Sequence, residues 1–277
     1  MSRKRKLSNG SLEPGIFSID SGTAELVQDR NYRDGWLLYV NGVQSSHIDL
    51  ADTSHLDFEY MRYMALVIES HFNPSLKQKL NMLHLGGAAC SLPRFLAERY
   101  PQARQVVVEL DGKLAELARS WFDLPKAPRL RLRVGDAREV TESLRTATRD
   151  VIVRDVFSGA HTPRNLTTIE FALQIQRVLR PGGLYLINCG DGPQLGLARS
   201  EIVTLASVFK NIAVISDSAM LKGKRHGNIV LAASDQKIGS ASLLRLLRAD
   251  PLPAQLWNKE KALEFSQGVQ PLLDADV

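Results

Sequence analysis

The sequence predicts an α/β fold: a Rossmann-like, mostly parallel sheet covered by helices on both faces, preceded by a small N-terminal β domain. Three observations carry this. From Lys79 onward, short apolar runs alternate with helical stretches, the pattern of repeated strand–helix–strand units. Asn41-Gly42 separates two short alternating runs, a hairpin signal. The run Asn81 to Leu85 ends in Gly86-Gly87-Ala88-Ala89-Cys90 and opens a helix, and Glu109 follows Gly86 by 23 residues near the end of the next strand.

The elements follow in order. Residues 1–14 read as a disordered basic tail. Residues 15–55 form the small β domain, with runs at 15–19, 25–28 and 36–40 and a return strand at 43–49. Residues 56–71 switch to helical period: Leu56, Tyr60, Tyr63, Met64, Val67 and Ile68 share one face, and Pro74 follows the end. A nucleoside-binding domain is assigned to 56–240. Its strands are 81–85, 105–110, 130–134, 150–155, 183–189, 211–216 and 227–234. Its helices are 91–99, 112–121, 137–145, 167–179 and 195–208. Pro181-Gly182-Gly183 stops the fourth of these helices and starts a strand. The last two strands have no helix between them, which predicts an antiparallel hairpin at the sheet edge. Residues 241–277 carry Pro251, Pro253 and Pro271 and predict a short helix with an irregular tail, a C-terminal extension.

At 277 residues the chain can bury a substantial core. Its net charge is +5, but Arg3, Lys4, Arg5 and Lys6 lie in the tail; with those four set aside, 31 basic side chains face 30 acidic ones. The basic balance therefore describes the tail, which either contacts nucleic acid or anionic lipid or is a solvated terminus. Nucleic acid and membrane are not expected partners of the folded part. No apolar run reaches the ~18 residues of a membrane span, and no signal-peptide core opens the chain, so a soluble cytoplasmic protein is expected. Cys90 and Cys189 end predicted strands and suit buried thiols in a reducing compartment. The six histidines show no ligand spacing, so no metal site is expected.

In such a sheet, ligands bind at the carboxyl ends of the strands. The first strand offers Gly86 and Gly87, which either cradle a ligand or serve a tight turn. The second offers Glu109, placed to bind both hydroxyls of a ribose. After the third comes Gly135-Asp136-Ala137, where Asp136 either accepts from an adenine amino group or caps the next helix. The fourth ends at Asp155, followed by Val156-Phe157-Ser158-Gly159. An alkyl amine, with a pKa near ~10.4, arrives charged and needs deprotonation before it can attack. Asp155 is thus a catalytic candidate, with a ligand-positioning or capping carboxylate as the alternative. His161 is a candidate base or metal ligand, whereas His84, inside a strand, reads as a core histidine.

Residues 36–234 resemble the spermidine synthase family of aminopropyltransferases. Leu38 to Gln44 is similar to the family's L-x-x-D-G-x-x-Q hairpin, and Asp57-Phe58-Glu59-Tyr60 to its E-F-x-Y helix. Gly86 through Arg94 corresponds to G-G-G-D-G-G-x-x-R, and Val108-Glu109-Leu110-Asp111 to V-E-I-D. Gly135-Asp136-Ala137 matches G-D-A, and the family's D-V-I-I-x-D-S-S-D stretch becomes Asp150 through Ser158. Asn165-Leu166, Glu170-Phe171 and Leu179-Arg180-Pro181-Gly182-Gly183 also fit.

The resemblance implies a sheet of the S-adenosylmethionine-dependent methyltransferase type under the small β domain. It implies a nucleoside site at Gly86, Gly87, Ala88, Glu109, Leu110, Asp136 and Ala137. Tyr60, Gln44 and Ser158 would line the amine side, with Asp155 as the group that activates the attacking amine. The ligand would be decarboxylated S-adenosylmethionine, or S-adenosylmethionine itself, with methylthioadenosine as product, no metal, a small-molecule amine as substrate and a homodimer as the assembly. Three family residues that grip amino groups differ here: Ala89 and Ser158 replace aspartates, and Met61 replaces a polar residue. The nucleoside half of the site is kept and the amine half is depleted. Three readings stay open: an aminopropyltransferase-like enzyme with an altered acceptor, an S-adenosylmethionine-dependent methyltransferase, and a non-catalytic nucleoside-binding dimer.

Overall fold

The structure is a computed structural model that describes residues 12–277 apart from 77 and 160. Most of the expected basic tail, residues 1–11, lies outside the described residues. The chain begins with a four-stranded antiparallel sheet, β1 (Gly15–Ile19), β2 (Gly22–Gln28), β3 (Gly35–Val40) and β4 (Val43–Asp49), paired in sequence order. Val40 pairs with Val43 around Asn41 and Gly42, whose φ values of 51° and 79° make the tight turn that the Asn-Gly pair predicts.

A helix, α1 (Glu59–His71), leads into the second sheet. It starts three residues later than its apolar period suggests, because Phe58 is extended, although Leu56 is still buried. The sheet follows as β5 (Asn81–Leu85), α2 (Ser91–Arg99), β6 (Arg104–Glu109), α3 (Gly112–Trp121), β7 (Leu130–Val134), α4 (Ala137–Ser143), β8 (Arg149–Arg154), α5 (Ile169–Val178), β9 (Leu179–Asp191), α6 (Gly196–Val208), β10 (Asn211–Asp217), α7 (Ser218–Leu221), β11 (Gly227–Ser234), α8 (Ala241–Arg248), β12 (Ala254–Trp257) and α9 (Lys259–Phe265). Its eight strands lie in the order β12-β10-β11-β9-β8-β5-β6-β7. β5 to β9 run parallel, and β11 pairs antiparallel with both β9 and β10.

Alternate strand residues feed two cores, as the pleat requires. Leu184, Leu186, Ile215 and Val230 meet α1, α2 and α8; Leu83, Ile152, Ile187 and Leu231 meet α5 and α6. A third core joins the N-terminal sheet, through Leu26 and Leu38, to Val107, Leu114 and Phe122. Hydrogen bonds fix that junction: Asp111 accepts from Ser21 N and Oγ, Ser91 Oγ donates to His47 O, and Arg94 donates to Asp49 O. The small sheet is thereby held against the glycine turn.

Two expectations are corrected. The β10–β11 pair is not the sheet edge and is not a bare hairpin: the short α7 lies between its strands, and β12 pairs along β10 outside it. The segment 241–277 is not one helix with an irregular tail, since it supplies α8, β12 and α9. A four-residue strand behind two prolines is too short to show alternation, and it is held by covering an otherwise open edge. No helix among the described residues is long and apolar enough to cross a membrane.

Candidate active site

The carboxyl ends of β5, β6, β7, β8 and β9 form one rim. At its centre, Gly86 N–H donates to Val108 O at 2.9 Å and Asp155 N–H donates to Leu85 O at 2.8 Å. Gly86 has φ +79°, and a Cβ there would lie 2.1 Å from the carbonyl oxygen of Asp155. At Gly87 a Cβ would lie 2.3 Å from Val107 Cγ1. Both positions therefore require glycine, and the turn keeps its backbone accessible against β6 and β8.

Glu109 closes one side of this turn. Its carboxylate accepts from Ala88 N–H at 3.2 Å and from Asp111 N–H at 3.1 Å. Burial pushes its carboxyl above the usual range, and the N–H groups of Asp111, Ala88 and Gly87 pull it back. Beside it, Leu110 is 71% exposed and, on β7, Val134 is 58% exposed, so apolar side chains stand open at two neighbouring strand ends. Asp136 caps α4, with Oδ1 accepting from Arg138 N–H at 2.8 Å and Glu139 N–H at 2.9 Å. Its other oxygen accepts from no described residue, so the cap leaves an acceptor free. Ala137 opens α4 and is buried.

Asp155 closes the other side. Its Oδ2 accepts from Tyr60 Oη at 3.0 Å and its Oδ1 from Asn188 Nδ2 at 2.9 Å. Burial pushes its carboxyl up, opposed by these two hydrogen bonds and, last, by Arg154. Burial and the Asp155 charge push the Tyr60 phenol well above its usual value, so Tyr60 remains a donor. Arg154 points to the opposite strand face, where it pairs with Glu201 at 2.8 Å inside the α5–α6 core. The carboxylate at the rim is thus held by two neutral donors and keeps its basicity.

Tyr60, Asp155, Gly86, Ala88 and Glu109 are joined through these contacts. Gln44 and Ser158 are exposed and make no side-chain hydrogen bond to that group, and His161 is exposed on a short bridge with Ser158. His84 is a core histidine whose Nε2 pairs with Gln105 Oε1 at 2.9 Å. Cys90 and Cys189 are buried free thiols. Among the described residues, no cluster of three or more His, Cys, Asp or Glu side chains is arranged to hold a metal ion. Asn188 was not anticipated. The one usable signal was an amide inside the apolar run Leu184 to Cys189, because a buried amide must find partners. Its Oδ1 is buried without one, directly behind Asp155.

No family model matches the chain. It is 45% identical to a probable spermidine synthase from Corynebacterium glutamicum, covering 95% of this chain and 97% of that one with a TM-score of 0.90. It is 28% identical over 238 residues to the polyamine aminopropyltransferase of Chromobacterium violaceum, covering 83% of this chain and 82% of the relative. The match to the Vibrio vulnificus polyamine aminopropyltransferase, 31% over 140 residues, spans 45% of that protein. A human eEF1A lysine and N-terminal methyltransferase is 28% identical over 173 residues, which is 57% of this chain and 24% of the relative. The Corynebacterium match takes in nearly the whole chain, at 95% coverage, and the chain belongs to the spermidine synthase, or polyamine aminopropyltransferase, family.

Proposed function

We propose that the protein transfers an aminopropyl group from decarboxylated S-adenosylmethionine to an amine acceptor and releases methylthioadenosine. The observation that carries this reading is Asp155, a carboxylate of raised pKa at the end of β8, fixed by Tyr60 and Asn188 and backed onto the Gly86 turn.

The residues present fit an adenosyl group. Glu109 offers carboxylate oxygens to ribose hydroxyls, Leu110 and Val134 offer open apolar surface to a purine, and the free oxygen of Asp136 accepts from an exocyclic amine. The donor supplies an electrophilic carbon beside its sulfonium. The protein's task is then to deliver an uncharged amine in line with that carbon, which is chiefly a matter of position. Asp155 takes the proton from the acceptor ammonium, and Tyr60 and Asn188 keep the carboxylate aimed while it does so. By the sequence resemblance, Ala89, Ser158 and Met61 fall at the family's amine-gripping positions, so spermidine formation from putrescine is expected to be poor.

Methyl transfer from S-adenosylmethionine is the second reading, favoured by Ala89, which leaves no carboxylate to repel the methionine end. The two separate in one assay. The purified protein is incubated with each donor and an amine panel, and the products are resolved chromatographically. Amine-dependent methylthioadenosine supports aminopropyl transfer; S-adenosylhomocysteine from S-adenosylmethionine replaces it with methyl transfer. A homodimer in the cytoplasm completes the proposal, and light scattering at micromolar concentration tests the assembly.

A further inference from the structure

The acceptor side of the rim has an unusual charge arrangement. α1, β8 and β9 place Tyr60, Asp155 and Asn188 together, and the same sheet edge continues through β11, where Asn228 pairs with Gly190 and Gly227 with Asp191. β10 ends at the same edge with Asp217. Of the acids around this end of α1, arginines already hold Glu59, Asp217 and Asp250, whereas Asp57 lies 3.9 Å from His55. Arg225 pairs with Asp217 and reaches within 4.0 Å of Glu59, the neighbour of Tyr60. The other oxygen of Asp217 caps α7. Arg62 grips Asp250 through both oxygens at 2.8 and 2.9 Å.

Arg225 is not isolated. It lies in Lys222-Gly223-Lys224-Arg225-His226, a basic connection folded against the 191–194 loop. A Cβ at Gly223 would lie 2.2 Å from Pro193 O, and one at Gly192 would lie 3.1 Å from the His226 ring. Lys222 and Lys224 are exposed, with no carboxylate in ion-pair range among the described residues. Arg225 commits one donor to His226 O and one to Asp217, and its guanidinium has others left.

A diamine bound with one nitrogen at Asp155 would carry its second ammonium toward this basic wall, where Glu59, Asp217 and Asp250 are already matched by arginines. An amine with an anionic tail meets the opposite situation, since a guanidinium suits a carboxylate in charge and in shape. We propose that the acceptor is an amino acid whose amine reacts at Asp155 and whose carboxylate is bound by Arg225 with help from Lys222 and Lys224. This rests on the aminopropyl-transfer reading. In the step, the acceptor nitrogen forms a bond to the aminopropyl carbon next to sulfur as the carbon–sulfur bond breaks. The sulfur keeps the electron pair and leaves as the neutral thioether, and the ammonium proton passes to Asp155 and on to solvent.

The test measures methylthioadenosine release with decarboxylated S-adenosylmethionine and three acceptors of matched length: a diamine, a monoamine and an ω-amino acid. Calorimetric binding of methylthioadenosine is measured on the same preparations. The ω-amino acid is expected to exceed the diamine at least tenfold in kcat/KM. Arg225→Gln should lower the ω-amino acid value at least tenfold, mainly through KM, and raise the diamine value by freeing Glu59 and Asp217. Lys222→Ala with Lys224→Ala, both on the surface, should raise KM for the amino acid alone and leave the melting temperature unchanged, which keeps the test open if Arg225→Gln folds poorly. A wild-type preference for the diamine, equal losses on all acceptors in the variants, or intact methylthioadenosine binding without turnover of any acceptor overturns the inference and leaves the nucleoside site standing. Absence of methylthioadenosine binding overturns the underlying reading as well.

Discussion

Asp155→Asn is the sharpest perturbation of the proposed chemistry. The carboxylate is held by Tyr60 Oη and Asn188 Nδ2, both neutral. An asparagine of the same shape keeps the Tyr60 bond through its amide oxygen. Its NH2 group then faces Asn188, which can turn its amide and present Oδ1, an oxygen that is buried without a partner in the native arrangement. The site should therefore stay assembled while the base is lost. A positioned general base is worth about 10²–10⁴ in rate, which at 1.36 kcal/mol per decade is roughly 3–5 kcal/mol of transition-state stabilisation.

Stability should move the other way. Burial raises the Asp155 carboxyl above 3.8, so the folded state holds its proton more tightly than the unfolded chain does. Stability contributed by this group is then lost as pH rises from the ordinary carboxylate value through the raised one, and at neutral pH the charged carboxylate weakens the fold. The asparagine variant is expected to melt at the same temperature or higher. In the assay, methylthioadenosine release is followed from pH 5 to 9 and methylthioadenosine binding by calorimetry. Wild-type turnover should climb with pH through the raised pKa, and the variant should lose both the climb and the rate while binding within threefold of wild type. Turnover within threefold of wild type, or binding lost together with turnover, would refute the role given to Asp155.

Other outcomes follow from the same geometry. Gly86→Ala should lower both melting temperature and methylthioadenosine affinity, because a Cβ at φ +79° would meet Asp155 O at 2.1 Å, on top of roughly 1–2 kcal/mol for the left-handed backbone; an unchanged melt would contradict the tight packing. Arg154→Met should cost about 3–5 kcal/mol in urea unfolding by stranding Glu201, whereas Arg154→Met with Glu201→Leu should cost much less; equal losses would show that the pair is not the issue. Burial pushes His84 down to about 4, so the stability of its neutral, buried ring is complete above pH 6.5 and lost as pH falls toward 4, worth about 3 kcal/mol at 1.36 kcal/mol per unit. His84→Gln should flatten the fall in urea stability between pH 7 and 4.5, and an unchanged slope would assign that fall to other groups.

Much of the nucleotide-facing half was legible because its signals are local. β5, α2, α3 and β7 fall on the bounds that apolar period and flanking glycines suggest, since each element carries its own start and stop residues. Glu109 stands beside the glycine turn because strand, turn, helix and strand have a fixed reach. The acceptor half was harder to read because its signals are long-range. Asn188 meets Asp155 across 33 residues of sequence and Tyr60 meets it across 95. Arg225 acquires its meaning only when β10, β11 and α1 bring Asp217 and Glu59 to it. β12 left no periodic trace because four residues contain at most two of each face, and its place follows from the open side of β10.

The most direct measurement is a calorimetric titration of the purified protein with methylthioadenosine, decarboxylated S-adenosylmethionine and S-adenosylmethionine, repeated on Glu109→Gln. Saturable binding of methylthioadenosine, preference for the decarboxylated donor over S-adenosylmethionine, and at least tenfold weaker binding by Glu109→Gln are the predicted results. Failure of all three ligands to bind, or binding indifferent to Glu109, would contradict a nucleoside site on the Gly86–Glu109 rim.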